Sequence, residues 1–512
     1  MAATNGKFYV TTPIYYVNDT PHIGHTYTSV AADTLARYHR CRGEDVFYLT
    51  GTDENSQKNV EAAEKAGYQD IQSYLDMMSG KWRSVFSELG LTFDDFIRTT
   101  EERHKKAVDK FWRAVKANNP DDIYLGEYVG LYCVGCEAFV NRSDLVDGKC
   151  PIHKKEPKAI KEKNYFFRLS AYRQKLLAHI DSHPEFIQPE ARRNEVRSYI
   201  DKFMEDVSIS RETMKWGIPV PDDPKNVIYV WFDALINYLS GIGYGTDEAR
   251  FRRLWPADVH LVGKDIIKFH CALWPAMLMA AGVELPRQVF AHGFFTVDGD
   301  KMSKSLGNVV DPLVVAGKYG MDTLRFFLLR EIPFGGDGDF SMKRLAERYA
   351  NDLANDLGNL LHRVLSMTEK YYEGKVPSDG GGCPDAPKDQ EEAWQTYDKA
   401  MAVLDFAAVL DLIWEHLRWD NKHIDEVKPW VLVKNDRKEL DKVIYYLLEH
   451  LRHVAWMLKP VMPVVAEKMF DQLGIAAGEA KKTWDEARAW GGMRENATIS
   501  KGMPLFPRLE DK

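Results

Sequence analysis

The chain has 512 residues, enough to bury more than one core and to form two to four domains. Its apolar share of 45% and charged share of 28% are those of an ordinary soluble protein, and no apolar run approaches the length of a membrane span. A net charge of -8 neither implies nor excludes a nucleic-acid partner, because only the local field at a contact decides that.

Met1 to Lys7 lack the basic and apolar segments of a signal peptide, so a cytoplasmic location is expected. Lys7 to Tyr16 alternate and are rich in β-formers, which predicts a strand. A turn follows at Asn18-Asp19-Thr20. Pro21 suits a first helical position with Thr20 as its cap, and the helix should run from His22 to about Arg42, ending at Gly43. Ile23, Val30, Ala31 and Leu35 fall roughly on one face of it. Asp45 to Thr50 reads as a second strand. Strand, helix, strand at this spacing is a βαβ unit and implies a parallel sheet.

Tyr124 to Arg168 is built of short elements and holds a cysteine cluster, and Tyr172 to Lys202 returns to helix. Val227 to Asp233, His260 to Val262 and Gln288 to Gly293 are predicted as further strands of the α/β sheet, with helices from about Asp265 and Pro312. An insertion between about residues 117 and 225 therefore splits the sheet domain. From Met342 onward the pattern is almost all helix. Arg344 to Thr368, Ala400 to Val427 and Lys438 to Leu458 are long amphipathic stretches, and Val376 to Lys388 reads as a loop.

Three of the six cysteines are clustered, which in a reducing compartment points to metal rather than disulfides. Cys133 and Cys136 form one close pair, Cys150 and His153 another. This spacing matches a four-coordinate structural Zn2+ site with no open position for catalysis. Lys154, Lys155, Lys158, Lys161 and Lys163 follow, as a solvated face or as contacts to nucleic-acid phosphates.

His22, Gly24 and His25 stand at a strand-to-helix junction, where free backbone amides and the helix dipole favour anions. Gly24 leaves room for a base or ribose. Lys301, Met302, Ser303, Lys304 and Ser305 follow a predicted strand and the turn Asp298-Gly299-Asp300. Two lysines and two serines on a short loop can stabilise a leaving pyrophosphate.

Together the two motifs resemble the signature pair of class I aminoacyl-tRNA synthetases, in the family's order. The resemblance implies an α/β fold: a Rossmann-like parallel-sheet catalytic domain split by a connective zinc-knuckle insertion, followed by an all-α anticodon-binding bundle. The expected boundaries are 1–116 and 226–295 for the catalytic halves, 117–225 for the insertion, 296–356 for a stem-contact region and 357–512 for the anticodon-binding domain.

Within class I, nearly the whole chain resembles the methionyl-tRNA synthetase family. That resemblance implies methionine contacts at Pro13, Ile14 and Tyr16, an ammonium-binding carboxylate at Asp53, and a side-chain pocket at Trp231, Ala234, Leu235, Tyr238, Ile266 and His270. Aromatic walls suit a polarizable thioether, and His270 or Tyr238 would read it weakly. A missing methyl is discriminated by only about 1–3 kcal/mol, so homocysteine should leak into the site. The resemblance further implies ATP with Mg2+, catalytic roles for His22, His25, Lys301 and Lys304, and structural Zn2+. Initiator and elongator methionine tRNA are the implied partners, read by Asn359, Arg363 and Trp430. No long tail follows residue 510, so a monomer is expected.

Three rival readings remain open. Another class I synthetase fits less well, because editing members carry a larger insertion and the cysteine enzyme uses zinc in its pocket. A non-catalytic tRNA-binding protein on a synthetase scaffold is disfavoured by the intact histidines and lysines. A small-molecule adenylyltransferase is disfavoured by the helical C-terminal third.

Overall fold

The structure is a computed structural model that describes residues 6–135, 138–140, 145–151, 154–302, 308–380 and 386–507. It divides into two compact units. One comprises Gly6–Ala32 and Val46–His292, the other Asp33–Asp45 and Gly293–Lys512.

The first unit is built on a seven-stranded sheet. Its order is Tyr15–Tyr16, Asp45–Asp53, Lys7–Thr11, Val259–Gly263, Val289–His292 and Ile187–Gln188, with Asp95–Arg98 paired to Asp45–Asp53. Val10↔Val259, Gly263↔His292 and Tyr16↔Asp53 are in parallel register. Tyr9, Val10 and Thr11 are all buried, as are Tyr48 to Asp53, so both sheet faces are covered. The strand Lys7–Thr11 is central: the chain steps from it to Asp45–Asp53 on one side and later returns to Val259–Gly263 on the other. That reversal opens a crevice beyond the carboxyl ends of the strands, where such sheets bind ligands.

The predicted βαβ unit is present, with the first strand broken at Thr12-Pro13-Ile14. Its helix spans Ile23–Cys41 and ends before Gly43, whose φ is 77°. The start differs from expectation. The His22 carbonyl accepts from the amides of His25 and Thr26, so His22 precedes the first turn and Thr20 is not the cap. Ile23, Val30, Ala31 and Leu35 are buried as predicted.

Two further readings are corrected. Val227 to Asp233 is not a strand of the parallel sheet. A strand Asp223–Ile228 pairs antiparallel with Ser210–Arg211 and Pro219–Val220, and a helix Val230–Leu235 follows. Its β-rich composition loses to packing, because the core encloses the whole of Val230–Leu235 and every residue of the helix is buried. The helix expected over Tyr172 to Lys202 is two helices, Arg173–Ser182 and Glu190–Phe203, and the strand Ile187–Gln188 between them joins the sheet edge. The cysteine region is a long hairpin, Ile123–Cys133 antiparallel to Lys158–Phe167.

The second unit is mainly helical. A nearly continuous rod runs through Met342–Arg348, the wide turns Tyr349–Asn359 and Leu360–Tyr372. Phe406–Val427 and Arg437–Leu458 pack beside it, burying Leu353, Leu357, Leu361, Trp414, Leu417 and Leu448. Arg325 is buried here, donating to Asp33 Oδ2 at 2.6 Å and to the carbonyls of Pro460 and Val461 at 2.9 and 2.6 Å. One guanidinium thus satisfies the carbonyls just past the helix Arg437–Leu458 together with a buried carboxylate.

Candidate active site

The first strand's carboxyl end leads into Pro13, Ile14 and the short strand Tyr15–Tyr16, and then to the histidine pair. His22 and His25 rings stack with centroids 3.7 Å apart. The Gly24 amide donates to His22 Nδ1 at 3.1 Å, and the His22 amide donates to His25 Nδ1 at 3.2 Å. Each ring therefore uses Nδ1 as an acceptor and keeps its proton on Nε2. Tyr15 and Trp82 close around His25, with centroids 5.0 and 4.9 Å away. The Trp82 indole is itself pinned to the Asp19 carbonyl at 2.7 Å. Tyr15 and Trp82 carried no signal beyond being aromatic.

Burial pushes His22 down to about 4 and His25 well below the ordinary imidazole value, the latter helped by its neighbour His22. Both rings are thus neutral at pH 7 and present Nε2–H donors rather than cations. In the free protein, His22 should titrate near pH 4 by NMR of labelled histidine. A midpoint between 6 and 7 would show instead that it carries charge near neutrality.

Asp53 ends the strand Asp45–Asp53, in register with Tyr16. It is 4% exposed, its carbonyl accepts from Asn59 Nδ2 at 2.8 Å, and its Oδ1 accepts from the Asn55 amide at 3.3 Å. A buried carboxylate at a sheet's carboxyl edge suits a cationic ligand group.

Trp231, Ala234, Leu235 and Tyr238 recur at i, i+3, i+4 and i+7, and the helical turns Val230–Leu235 and Asn237–Ser240 put them on one side. Ile266 ends the tight 3-10 turn Lys264–Ile266, and His270 lies in the wide turn Phe269–Leu273 that leads into Trp274–Ala281. Trp231 lies flat on Phe269, centroids 3.9 Å apart at 4°, so Phe269 belongs to this wall although the sequence reading did not assign it. The signal was its place directly before His270.

Tyr238 Oη and His270 Nε2 are 2.7 Å apart, and His270 Nδ1 is 3.0 Å from the Ile266 carbonyl. His270 Nδ1–H therefore donates to Ile266, and the tyrosine hydroxyl donates to Nε2. Burial pushes His270 down to about 4, so the ring stays neutral. The Tyr238 proton is thus taken by His270, and the His270 proton by the Ile266 carbonyl. The polar groups of this wall are therefore hydrogen-bonded within the protein, and what they leave to a ligand is aromatic and aliphatic surface that suits a polarizable side chain.

In the second unit, the turn Asp298-Gly299 joins Phe295–Val297 to Asp300–Lys301, with φ of 49° and 85° at its two residues. These are the left-handed values of a tight hairpin turn. Met302 follows it; Ser303, Lys304 and Ser305 lie outside the described residues. Cys133 closes the strand Ile123–Cys133 and, like Cys150, is a buried thiol, whereas Cys136 and His153 lie outside the described residues.

Asn359 is exposed at the end of the wide turns. Arg363 follows on the same rod and donates to Asp425 Oδ1 at 2.7 Å. Trp430 follows the helix that carries Asp425 and is 44% exposed, which rules out a core tryptophan.

A doubly covered parallel sheet, a reversal of strand order and a helix-start histidine pair define a nucleotide-binding catalytic domain of the class I synthetase type. A family profile described as "tRNA synthetases class I (M)" matches residues 8–159 and 140–365, and one described as "Anticodon binding domain of methionyl tRNA ligase" matches 386–512. A methionine–tRNA ligase of Thermotoga maritima is 46% identical over 99% of this chain and 81% of its own length; that of Bacillus subtilis is 45% identical over 100% and 79%. The Mycobacterium tuberculosis methionyl-tRNA synthetase in complex with methionyl-adenylate superposes with a TM-score of 0.93 at 41% identity, covering 98% of this chain and 100% of that one. Its apo form gives 0.85 at 38% identity, covering 100% of each. The chain belongs to the methionyl-tRNA synthetase family.

Proposed function

We infer that this chain ligates L-methionine to its tRNA at the expense of ATP, through a methionyl-adenylate, releasing pyrophosphate and AMP. The observation that carries this is the close match of the chain to a synthetase whose structure holds methionyl-adenylate. The methionine carboxylate oxygen attacks the α-phosphorus of ATP, and the bond to the β-phosphate breaks with its electron pair going to pyrophosphate. The terminal ribose hydroxyl of the tRNA then attacks the acyl carbon, and AMP leaves.

Each residue has a role in this reading. Asp53 pairs with the substrate ammonium and leaves the carboxylate free to attack. Pro13, Ile14, Tyr16, Trp231, Ala234, Leu235, Tyr238, Ile266 and His270 enclose the side chain. Gly24 admits the nucleotide, and His22 and His25 donate Nε2–H to it. Lys301, Met302, Ser303, Lys304 and Ser305 are assigned to the phosphates by their motif. ATP enters as its Mg2+ complex, and the protein supplies position and charge rather than a nucleophile.

Residues 1–116 and 226–295 are assigned to catalysis, 117–225 to the insertion, 296–356 to stem contact and 357–512 to the anticodon. Structural Zn2+ on Cys133, Cys136, Cys150 and His153 fits the buried thiols at Cys133 and Cys150. When bound it would cross-link the hairpin's far end. One chain carries both the activating and the tRNA-reading residues, which supports a monomer. Among the described residues no helix is long and apolar enough to cross a membrane, and substrates free in the cytoplasm support that location.

Exchange of labelled pyrophosphate into ATP, run with each of the twenty amino acids, tests the reading. Exchange with methionine above all others is expected. Exchange with another amino acid would keep the class and overturn the specificity. No exchange at all would favour a tRNA-binding protein without catalysis.

Base stacking on a half-exposed aromatic is worth about 1–3 kcal/mol. Trp430→Ala should therefore lower kcat/KM for tRNA by about ten- to hundredfold and leave pyrophosphate exchange at the wild-type rate. Equal loss in both assays would remove Trp430 from the anticodon.

A further inference from the structure

Beneath Asp53 lies a chain of buried polar groups that the reaction above leaves unused. The Asn55 amide donates to Asp53 Oδ1 at 3.3 Å. The Asn55 side chain donates to Asp233 Oδ2 at 2.7 Å and to the Thr99 carbonyl at 3.3 Å, which uses both protons of its amide and fixes its orientation. The other oxygen of Asp233, Oδ1, is 2.6 Å from His104 Nε2, and His104 Nδ1 is 2.8 Å from Ser240 Oγ. Asp233 and His104 are fully buried.

Serine, histidine and aspartate in a row suggest a hydrolase triad, but Ser240 is 1% exposed and also reaches the Asn237 carbonyl, so no substrate meets it. Burying the Asp233 carboxylate is costly and pointless for stability alone, since an apolar residue would pack there at less expense. Its position is informative instead. Asp233 sits on the helix Val230–Leu235 that carries Trp231 and Ala234, while Asn55 is two residues from Asp53. One run of hydrogen bonds thus joins the pocket wall to the ammonium-binding strand end.

We propose that Asp233, braced by His104, is a positioning residue for methionine: acting through Asn55, it holds the Asp53 carboxylate at the orientation that receives the substrate ammonium. This rests on the methionine-activating reading. Asp233 touches no substrate atom.

Asp233→Asn keeps the shape and removes one acceptor, so an amide N–H must face either Asn55 Nδ2 or His104 Nε2, both donors. In methionine-dependent pyrophosphate exchange, the KM for methionine should rise about tenfold, the scale of one unsatisfied buried donor. The KM for ATP and kcat should stay within about twofold, the signature of lost uniform binding. Inhibition by 4-(methylthio)butanoate, which keeps the thioether and carboxylate but lacks the ammonium, should be unchanged. His104→Gln, which preserves a donor toward Asp233, should stay near wild type, while His104→Phe should resemble Asp233→Asn.

An unchanged KM for methionine in folded Asp233→Asn overturns the proposal. So does a parallel weakening of methionine, the desamino compound and ATP, which marks general loosening. If Asp233→Asn is recovered unfolded, Asn55→Ala breaks the same link, with the same outcomes deciding. Absence of methionine-dependent exchange in the wild type would instead overturn the functional reading.

Discussion

Asp53→Asn should raise the KM for methionine in pyrophosphate exchange by two to three orders of magnitude while the KM for ATP stays close to wild type. The carboxylate is buried at the strand end, so in the proposed pairing the substrate ammonium sheds water on binding and depends on the pair for compensation. Removing one member of such a desolvated charge pair costs about 3–4 kcal/mol, most of it from leaving the other charge unmatched. Asparagine retains the volume and one acceptor, so the backbone links from Asn55 and Asn59 have no reason to move. Steady-state exchange at varied methionine and at varied ATP separates the outcomes. A rise below tenfold would take the ammonium away from Asp53. A matching rise for ATP would mean that the strand end itself had shifted.

The scaffold of this site was legible because its signals are local. The strand Lys7–Thr11, the helix Ile23–Cys41 and its stop before Gly43 follow from β-rich alternation, an apolar face and a left-handed glycine. The hairpin at Asp298-Gly299 was equally readable from its turn residues. The stretch after Val227 was not. Its valines and aromatics favour a strand by composition, yet Trp231, Ala234, Leu235 and Tyr238 carry helical spacing, and Trp231 settles flat on Phe269 from a distant segment. Windows short enough to hold one turn cannot decide between the two periods.

The side-chain pairings were less accessible still. Nothing in sequence spacing joins His104 to Asp233, or sets the Tyr238 hydroxyl against His270, because these bonds form between segments brought together by the core. The charge state of the histidine pair was hidden for the same reason. Two imidazoles at a helix start look like cations for a triphosphate until burial is known, and burial pushes His22 down to about 4.

In the helical unit the largest stability effect is expected at Glu449. It is fully buried on Arg437–Leu458. Its Oε1 accepts from Arg452 Nη2 at 2.6 Å and from the amides of Gly491 and Gly492 at 2.9 Å each, while Oε2 accepts from the Met493 amide at 2.7 Å. Arg452 extends the clamp to the carbonyls of Ala487 and Ala489 at 2.7 and 2.6 Å. A side chain at Gly492 would put its Cβ 2.4 Å from Arg452 Nε, so only glycine lets the segment lie this close. This carboxylate gathers three consecutive backbone amides, Gly491 to Met493, together with the Arg452 guanidinium. Glu449→Gln turns one acceptor into a donor facing those donors and leaves Arg452 poorly compensated, at a cost of about 3–5 kcal/mol.

The sign of the pH dependence follows from the same bonds. Burial would raise the Glu449 carboxyl, but hydrogen bonding from His453 and the Arg452 charge outweigh it and hold it well below the ordinary carboxylate range. A depressed carboxylate contributes fully above its unfolded value, near 4.5, and loses that contribution as pH falls toward the folded one. Denaturant unfolding followed by tryptophan fluorescence has local reporters in Trp394, whose indole donates to His453 Nδ1 at 3.0 Å, and Trp490, stacked on His453 at 5.6 Å. The stability gap between wild type and Glu449→Gln should be largest at neutral pH and shrink in acid. A gap below about 1 kcal/mol, the worth of an ordinary exposed ion pair, would show that the clamp is replaceable. A gap independent of pH would show that the lost packing, rather than the carboxylate charge, holds the 487–493 segment against its helix.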